Sequence, residues 1–277
     1  MAQMTKIVAL ANQKGGVGKT TTAVNLGACL AGFGIKVLLI DFDPQSNTTT
    51  GLGRREVVPM KNIYLALIDD KNISPHIVDT EYSNLYLVPS TTDLSGAEVE
   101  LQSDSEKFYA LKKMLDPVYS NYDIVLIDCP PSLSLLTVNA LSAAHSVLIP
   151  IQCEYYGLEG LGQLTKTIDL IQKKLNPRLE IEGILLTMCD MRTNLAQQVT
   201  SEVKRYFGSK VYSNIIPRNV RLSEAPGFGK PIIDYDPSST GARSYMDFAR
   251  EFIEKSPELR DLPCLKEPDT QFKTRYD

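Results

Sequence analysis

Residues 13 to 20 read Gln13-Lys14-Gly15-Gly16-Val17-Gly18-Lys19-Thr20. An apolar run, Lys6 to Ala11, precedes this stretch and predicts a buried strand, and an Ala- and Leu-rich segment, Thr21 to Phe33, follows it and predicts a helix that ends at Gly34. A glycine-rich turn in this position presents backbone N–H groups at a helix N-terminus, where the helix dipole also favours an anion. The pattern is typical of a phosphate-binding loop.

The loop departs from the standard phosphate-loop pattern at its start. Gly18, Lys19 and Thr20 fit that pattern, in which backbone N–H groups cradle phosphates, the lysine neutralises the β and γ oxygens, and the hydroxyl holds Mg²⁺. Gln13 stands where the pattern has its first glycine, and an additional lysine, Lys14, follows it. Glycine-rich turns also occur without ligands, and Lys14 considered alone is compatible with a solvated loop lysine.

The composition suits a soluble globular protein. The chain has 277 residues, of which 43% are hydrophobic and 22% charged, and its formal net charge is -4. We expect one α/β P-loop domain over residues 1–255 and a loosely ordered tail over 256–277, which contains three prolines and balanced charge. With this overall charge, any surface that binds a polyanion must be local.

The cysteine and histidine pattern argues against a zinc site. Five cysteines lie far apart without a Cys-x-x-Cys pair, and the chain has only two histidines. The same pattern favours a reducing compartment. The first predicted strand begins within a few residues of the N-terminus and the longest apolar runs are of strand length, so we expect neither a signal peptide nor a membrane span.

Short apolar runs separated by segments of helix length predict a doubly wound α/β fold with a mostly parallel sheet, in which ligands sit at the carboxyl ends of the strands. The predicted strands after the first are Val37 to Ile40, Leu85 to Val88, Ile124 to Ile127, Val147 to Ile151, Ile184 to Thr187 and Val211 to Ile216. The predicted helices after the first include Glu106 to Leu115, Gly160 to Leu175 and Asn194 to Phe207. Residues 53 to 83 carry no readable motif.

Carboxylates follow two of the predicted strands. Asp41 and Asp43 come directly after the run that ends at Ile40, and Asp128 ends the run Ile124 to Ile127 as in a Walker B element, which holds Mg²⁺ through water. Acids at strand ends are also common turn residues. Their coincidence with the phosphate loop favours a role at a shared nucleotide site.

Five motifs together resemble those of the ParA/Soj-type chromosome or plasmid partition ATPases, the deviant Walker A group that includes MinD, with the fold of the SIMIBI-like P-loop NTPases. The resemblance runs from Lys6 to about Ala249. The motifs are Lys-Gly-Gly-Val-Gly-Lys-Thr at 14–20, Asp-Phe-Asp-Pro-Gln at 41–45, Asp-Cys-Pro-Pro-Ser at 128–132, Gln-Cys-Glu-Tyr-Tyr at 152–156, and Pro-Arg-Asn-Val-Arg-Leu-Ser-Glu-Ala-Pro at 217–226.

The resemblance implies an ATP-dependent homodimer in which two subunits enclose two ATP molecules and hydrolyse them slowly until stimulated by DNA and a partner. Lys14 would reach the phosphates of the partner subunit's ATP, Lys19 would serve its own, and Asp43 would orient the attacking water. Thr20 would ligate Mg²⁺, with Asp41 and Asp128 supporting the loop and metal. The remaining nucleotide contacts would be Gly15, Gly16, Val17, Gly18, Thr21, Pro217 and Asn219.

A basic region follows these motifs. Residues 192 to 230 contain seven basic and two acidic side chains, a local balance of +5. The resemblance implies non-specific binding to DNA phosphates through Arg192 and Arg221, and we add Lys204 and Lys230 as candidates. An ordinary solvated helix face would produce a similar pattern. The resemblance further implies a ParB-like activator and a cytoplasmic, nucleoid-associated protein.

Three other functions share the fold. A MinD-like membrane switch uses a basic amphipathic C-terminal helix, but residues 254–277 carry five basic side chains, six acidic ones and three prolines. A nitrogenase-type iron protein needs paired cluster cysteines, and Cys129 has no Cys-Gly-Gly motif beside it. A biosynthetic enzyme such as a dethiobiotin synthetase relative needs a substrate pocket, for which only residues 53–83 leave room.

Overall fold

The computed structural model describes residues 5–265. Its centre is a seven-stranded sheet with the order β3-β4-β2-β5-β1-β6-β7, in which only the β3–β4 pair is antiparallel. The strands are β1 Lys6–Leu10, β2 Val37–Asp41, β3 Val78–Asp79, β4 Leu85–Val88, β5 Ile124–Asp128, β6 Ser146–Gln152 and β7 Glu180–Thr187. The predicted doubly wound, mostly parallel α/β class is confirmed.

Helices cover both faces of the sheet. They are α1 Lys19–Gly32, α2 Asn47–Gly51, α3 Ile63–Leu65, α4 Leu94–Glu100, α5 Ala110–Leu115, α6 Leu135–Ala143, α7 Tyr155–Lys174, α8 Asn194–Phe207, α9 Val220–Glu224, α10 Ile232–Tyr235, α11 Thr240–Lys255 and α12 Pro257–Arg260. Short 3-10 turns and one π-helical turn, Ala66–Asp70, connect several of them. No helix within residues 5–265 is long and apolar enough to cross a bilayer.

The strands are apolar along their whole length because both faces of the sheet are buried. Successive side chains point to opposite faces, so Leu38 and Ile40 of β2 join one hydrophobic cluster and Val37 and Leu39 join the other. Helices α5 to α8 contribute to the first cluster, and α1 and α11 contribute to the second. The two clusters hold the central strands, and therefore their carboxyl ends, in a fixed arrangement.

The predicted strand Val211 to Ile216 is wrong. This segment meets β7 at two points, where the Tyr212 N–H donates to the Ile184 carbonyl (3.0 Å) and the Ile216 N–H donates to the Leu186 carbonyl (2.9 Å). Between them, the N–H groups of Ser213 and Asn214 donate to the carboxylate of Glu251 on α11. The side chain of Glu251 therefore holds two adjacent backbone donors, and the segment forms no continuous ladder with β7.

The structure also differs from the predicted loose tail over residues 256–265. Helix α12 packs beside α11, and Leu259 is fully buried in the second hydrophobic cluster. Glu258 lies 3.5 Å from the ammonium of Lys6, at the start of β1. Apolar burial outweighs the proline content here, so the chain stays attached to the core beyond Ser256. The rest of the predicted tail, residues 266–277, lies outside the described residues.

Candidate functional site

The phosphate loop leaves β1 and enters α1 through glycines with left-handed backbone angles. Gly16 has φ +73° and Gly18, which precedes α1, has φ +86°. Side chains with a Cβ rarely adopt these angles, so the conformation itself favours glycine at both positions. Asn12 braces the loop, since its side chain accepts from the Lys14 N–H (3.0 Å) and donates to the Pro150 carbonyl (2.8 Å).

The two lysines of the loop occupy different environments. Lys19 is 6% exposed, and its ammonium donates to the backbone carbonyl of Lys14 (3.3 Å). Burial lowers the pKa of Lys19, and the nearby Asp128, Cys129 and Asp43 oppose this shift. The ammonium of Lys14 instead pairs with Glu154 at the start of α7 (3.2 Å), with about a third of the Lys14 side chain exposed.

Two of the predicted carboxylates end neighbouring strands. Asp41 of β2 and Asp128 of β5 are partners in the strand register, and both are fully buried. Burial raises the pKa of Asp41 to about 8, with the charge of Asp128 adding to the shift. Burial also raises the pKa of Asp128 to about 6, although the hydrogen bond from Thr48 and the nearby Thr20 hydroxyl partly oppose this shift.

A cleft of about 500 Å³ opens beside the phosphate loop. It brings together many of the residues predicted for a nucleotide site, namely Gly15, Gly16, Gly18, Lys19, Thr20, Thr21, Asp43, Pro217 and Asn219. Val17, Asp41 and Asp128 are buried behind its surface. This cleft, which we call the P-loop cleft, combines exposed loop amides, an ammonium, a hydroxyl and a carboxylate at the carboxyl ends of parallel strands.

The far wall of the P-loop cleft is built from the segment that follows Ile216. Pro217 forms an isolated parallel bridge with Cys189, just beyond β7. Asn219 caps α9 by accepting from the N–H groups of Arg221 (2.9 Å) and Leu222 (3.3 Å), and it donates to the hydroxyl of Thr240 (2.7 Å). The cap and the Thr240 contact fix this wall relative to α11.

The four candidate DNA-binding cations follow β7 in the sequence, but α8 packs in the first hydrophobic cluster and the region of α9 packs in the second. Lys204 is exposed on α8. Arg192 pairs with Asp190, Arg221 pairs with Glu224 and Asp236, and Lys230 pairs with Asp234. Lys230 also lines the P-loop cleft. Three of the four cations therefore have acidic neighbours on the same surface.

Sequence reasoning missed three side chains at this site. Thr48 and Thr49 of α2 donate hydrogen bonds to Asp128 and Asp41, and Glu154 holds Lys14 while lying 3.9 Å from Arg218. The signal for the first two was the run of three threonines that closely follows Asp43. No local pattern marked Glu154 as a partner of Lys14.

The structure pairs two cysteines that are far apart in the sequence. Cys153 and Cys189, which follow the adjacent strands β6 and β7, form a disulfide with their Cα atoms 5.3 Å apart. The sequence analysis did not anticipate this pairing, because separation along the chain says nothing about which strand ends are neighbours. Cys29 and Cys129 are buried thiols.

Comparisons with known proteins agree with this geometry. A family model described as an AAA domain matches residues 5–181. The sporulation initiation inhibitor protein Soj of Bacillus subtilis is 58% identical over 90% of this chain and 98% of its own length. The chromosome partitioning protein ParA of Myxococcus xanthus is 53% identical over 94% of this chain and 93% of its own.

Solved structures show the same fold. The crystal structure of cobyrinic acid a,c-diamide synthase from Mycobacterium smegmatis, with bound ATP analog and magnesium, matches with a TM-score of 0.77 and 38% identity. The match covers 89% of this chain and 93% of that one. Its identity is well below that to Soj, so the Soj and ParA proteins are the nearer group. The chain belongs to the Soj/ParA family of chromosome-partitioning ATPases.

Proposed function

We propose that this chain is an Mg²⁺-dependent ATPase that dimerises around ATP, binds DNA without sequence preference and acts in chromosome or plasmid segregation with a ParB-like activator. The observation that carries the proposal is the P-loop cleft, where Lys19, Thr20 and Asp43 line one cavity. The identity to Soj and ParA supports the partition role.

The residues of the cleft fit a magnesium nucleotide. Asp128 is fully buried, and its Oδ1 atom has no hydrogen-bond partner among residues 5–265, which is costly unless another polar group approaches. The hydroxyl of Thr20 is close enough to lower the pKa of Asp128. When bound, Mg²⁺ would neutralise charge on the phosphate oxygens, with Thr20 as its protein ligand and Asp128 in its outer shell.

The chain's own groups then have separate roles in phosphoryl transfer. Lys19 and the loop amides hold the phosphates of the same subunit's ATP, and Asp43 orients the attacking water at the cleft surface. Lys14 does not line the cleft, and it is available to a second subunit because its ion pair with Glu154 is partly solvated. Catalysis of this kind depends on positioning and charge stabilisation, so a cation from another chain raises the rate.

Basic side chains in the segment that follows β7 in the sequence supply the DNA contact. Arg192, Lys204, Arg221 and Lys230 would bind backbone phosphates, and release of counterions would drive the association. Arg221 belongs to α9, whose cap residue Asn219 lines the P-loop cleft. The far wall of the P-loop cleft and one proposed DNA contact therefore meet at α9.

The test is the ATPase rate measured with no addition, with DNA, with the ParB-like protein encoded by the same genome, with both, and with anionic lipid vesicles. We expect a low basal rate and synergistic stimulation by DNA and the ParB-like protein. Stimulation by vesicles alone would instead favour a MinD-like membrane switch. Absence of ATP hydrolysis under all conditions would contradict the proposal.

A further inference from the structure

Helix α2 begins shortly after Asp43 and carries two adjacent threonines that point at different carboxylates. The Thr48 hydroxyl donates to Asp128 Oδ2 (2.7 Å), and the Thr49 hydroxyl donates to Asp41 Oδ2 (2.6 Å). Both threonines are fully buried. Two short bonds from neighbouring residues therefore connect one small helix to the ends of β2 and β5.

The two oxygens of the Asp128 carboxylate differ in their hydrogen bonds. Oδ2 is taken by the threonine, whereas Oδ1 has no hydrogen-bond partner within residues 5–265. A carboxylate turns about its terminal side-chain torsion unless a neighbour holds it. Thr48 thus fixes the orientation of the carboxylate plane, with one oxygen bonded and the other left without a partner.

Thr49 bonds a different carboxylate, that of Asp41, and does so through two donors. Asp41 Oδ2 accepts from both the backbone N–H (2.7 Å) and the hydroxyl of Thr49, and the same hydroxyl accepts from the Ser90 N–H (2.9 Å). Loss of the hydroxyl at 49 would leave the backbone donor in place. At Thr48, in contrast, the hydroxyl is the donor that the structure shows for Asp128 Oδ2. Its removal would therefore leave the Asp128 carboxylate without the hydrogen bond that holds it.

We propose that Thr48 is a positioning residue for the metal site: it holds Asp128 so that the free Oδ1 atom serves the outer shell of Mg²⁺. The inference rests on the proposed Mg²⁺-ATP function and adds a residue to it. Because α2 follows the loop of Asp43, the same bond also ties that loop to the metal carboxylate. Partners that orient the groups around a metal have measurable effects on its affinity.

The experiment compares Thr48→Val, which keeps the side-chain shape and removes the hydroxyl, with Thr48→Ser, which keeps the hydroxyl. The metal affinity of each ATP-bound protein is measured directly, by electron paramagnetic resonance titration with Mn²⁺ in place of Mg²⁺, alongside the Mg²⁺ dependence of ATP hydrolysis. We expect Thr48→Val to weaken metal affinity by about 10- to 100-fold and Thr48→Ser to restore most of it.

Thr80→Val is the matched control. Thr80 is buried, and its hydroxyl donates to the Leu85 carbonyl (2.7 Å) at the sheet edge formed by β3 and β4. It therefore reports the cost of losing a buried hydroxyl outside the metal site. Should Thr48→Val fail to fold, Thr48→Ala removes the same hydroxyl with less volume at the branched carbon.

The outcomes separate the inference from the function on which it rests. If the wild-type protein binds ATP without any metal dependence, the proposed Mg²⁺ site fails. If the wild type is metal-dependent but Thr48→Val has the same metal affinity and only a lower melting temperature, Thr48 is merely structural and the inference is overturned. Weakened affinity in Thr48→Val, restored in Thr48→Ser and absent in Thr80→Val, supports it.

Discussion

At the scale of single residues, Lys14 and Lys19 show how position in one loop separates two chemically identical side chains. Lys19 points inward, where burial lowers its pKa and fixes its ammonium against the loop backbone. Lys14 lies outside the lining of the P-loop cleft and pairs with Glu154, both side chains being partly exposed. Exposed ion pairs contribute about 0–1 kcal/mol, so Lys14 is easily released to another partner.

Replacing Lys14 with Gln should therefore abolish ATP-dependent dimerisation while leaving ATP binding by the monomer largely intact. The reason is that the phosphates of one subunit are served by its own Lys19, whereas Lys14 is needed only across the interface. Light scattering with and without ATP measures the dimer, and equilibrium binding of a fluorescent ATP analogue measures the monomer site.

Lys173→Gln is a suitable control for Lys14→Gln, because Lys173 is an exposed lysine near the end of α7. It should dimerise normally with ATP. Normal dimerisation of Lys14→Gln would show that Lys14 does not act across subunits.

At the scale of elements, α11 organises the segment that leads into the far wall of the P-loop cleft. Its Glu251 accepts from the N–H groups of Ser213 (2.8 Å) and Asn214 (2.9 Å) and pairs with Lys255 (2.9 Å). Burial alone would raise the pKa of Glu251, but the donated hydrogen bonds outweigh it and lower that pKa to about 2. The carboxylate is thus a fixed acceptor for an irregular piece of backbone.

Glu251→Gln should lower the free energy of unfolding by about 1–3 kcal/mol at neutral pH, because backbone donors lose a charged acceptor. The pKa of Glu251 is lower in the folded protein than its ordinary value of 4.5, so its contribution is present above about pH 4.5 and disappears as the pH falls towards about 2. The difference between wild type and variant should therefore shrink at low pH.

Urea denaturation at pH 7 and at pH 3 measures this difference. Glu254→Gln, at an exposed position of the same helix, should change stability little at either pH. An equal loss of stability in Glu251→Gln at both pH values would disprove the charge-dependent role.

At the scale of the whole molecule, two hydrophobic clusters share one sheet, and α12 and Leu262 extend the second cluster past Ser256. We infer from this that residues 5–265 form a single domain. The net charge is -4, yet residues 192–230 carry seven basic and two acidic side chains. A DNA contact through this segment would therefore be local and would depend on salt.

ATP-dependent DNA binding should fall steeply with salt and be indifferent to sequence, since backbone phosphates are the target. Arg192→Gln should weaken binding to all sequences alike and reduce the slope of log affinity against log salt by about 0.9, because the variant neutralises one phosphate fewer. Fluorescence anisotropy with two duplexes of unrelated sequence, titrated over a series of salt concentrations, gives both quantities.

Arg178→Gln provides the comparison for Arg192→Gln, because Arg178 is exposed between α7 and β7, outside the proposed DNA surface. Its salt slope should equal that of the wild type. A flat salt dependence in the wild type would remove the DNA proposal.

The sequence predicted helices and strands correctly wherever a local pattern of apolar residues determines them. Helix α8 begins and ends where the amphipathic pattern predicts, and strands β2, β4 and β5 lie on the predicted apolar runs. Contacts between distant residues had no such pattern: Thr48 and Asp128 are 80 positions apart, and Glu251 and Ser213 are 38 apart. These pairs depend on which strands are neighbours, and apolar periodicity does not encode strand order.

The position of β1 in the sheet also governs the order in which the protein can be completed during synthesis. This strand emerges first, but its register partners lie in β5 and β6, and α11 provides Tyr245, whose hydroxyl contacts Thr22 of α1 (3.1 Å). A nascent chain therefore carries an unpaired apolar strand until β5 has been translated, a state prone to aggregation. Nucleotide affinity should arise only after the cleft wall at Pro217 and Asn219 has been translated, so ATP would stabilise only chains that already contain this wall.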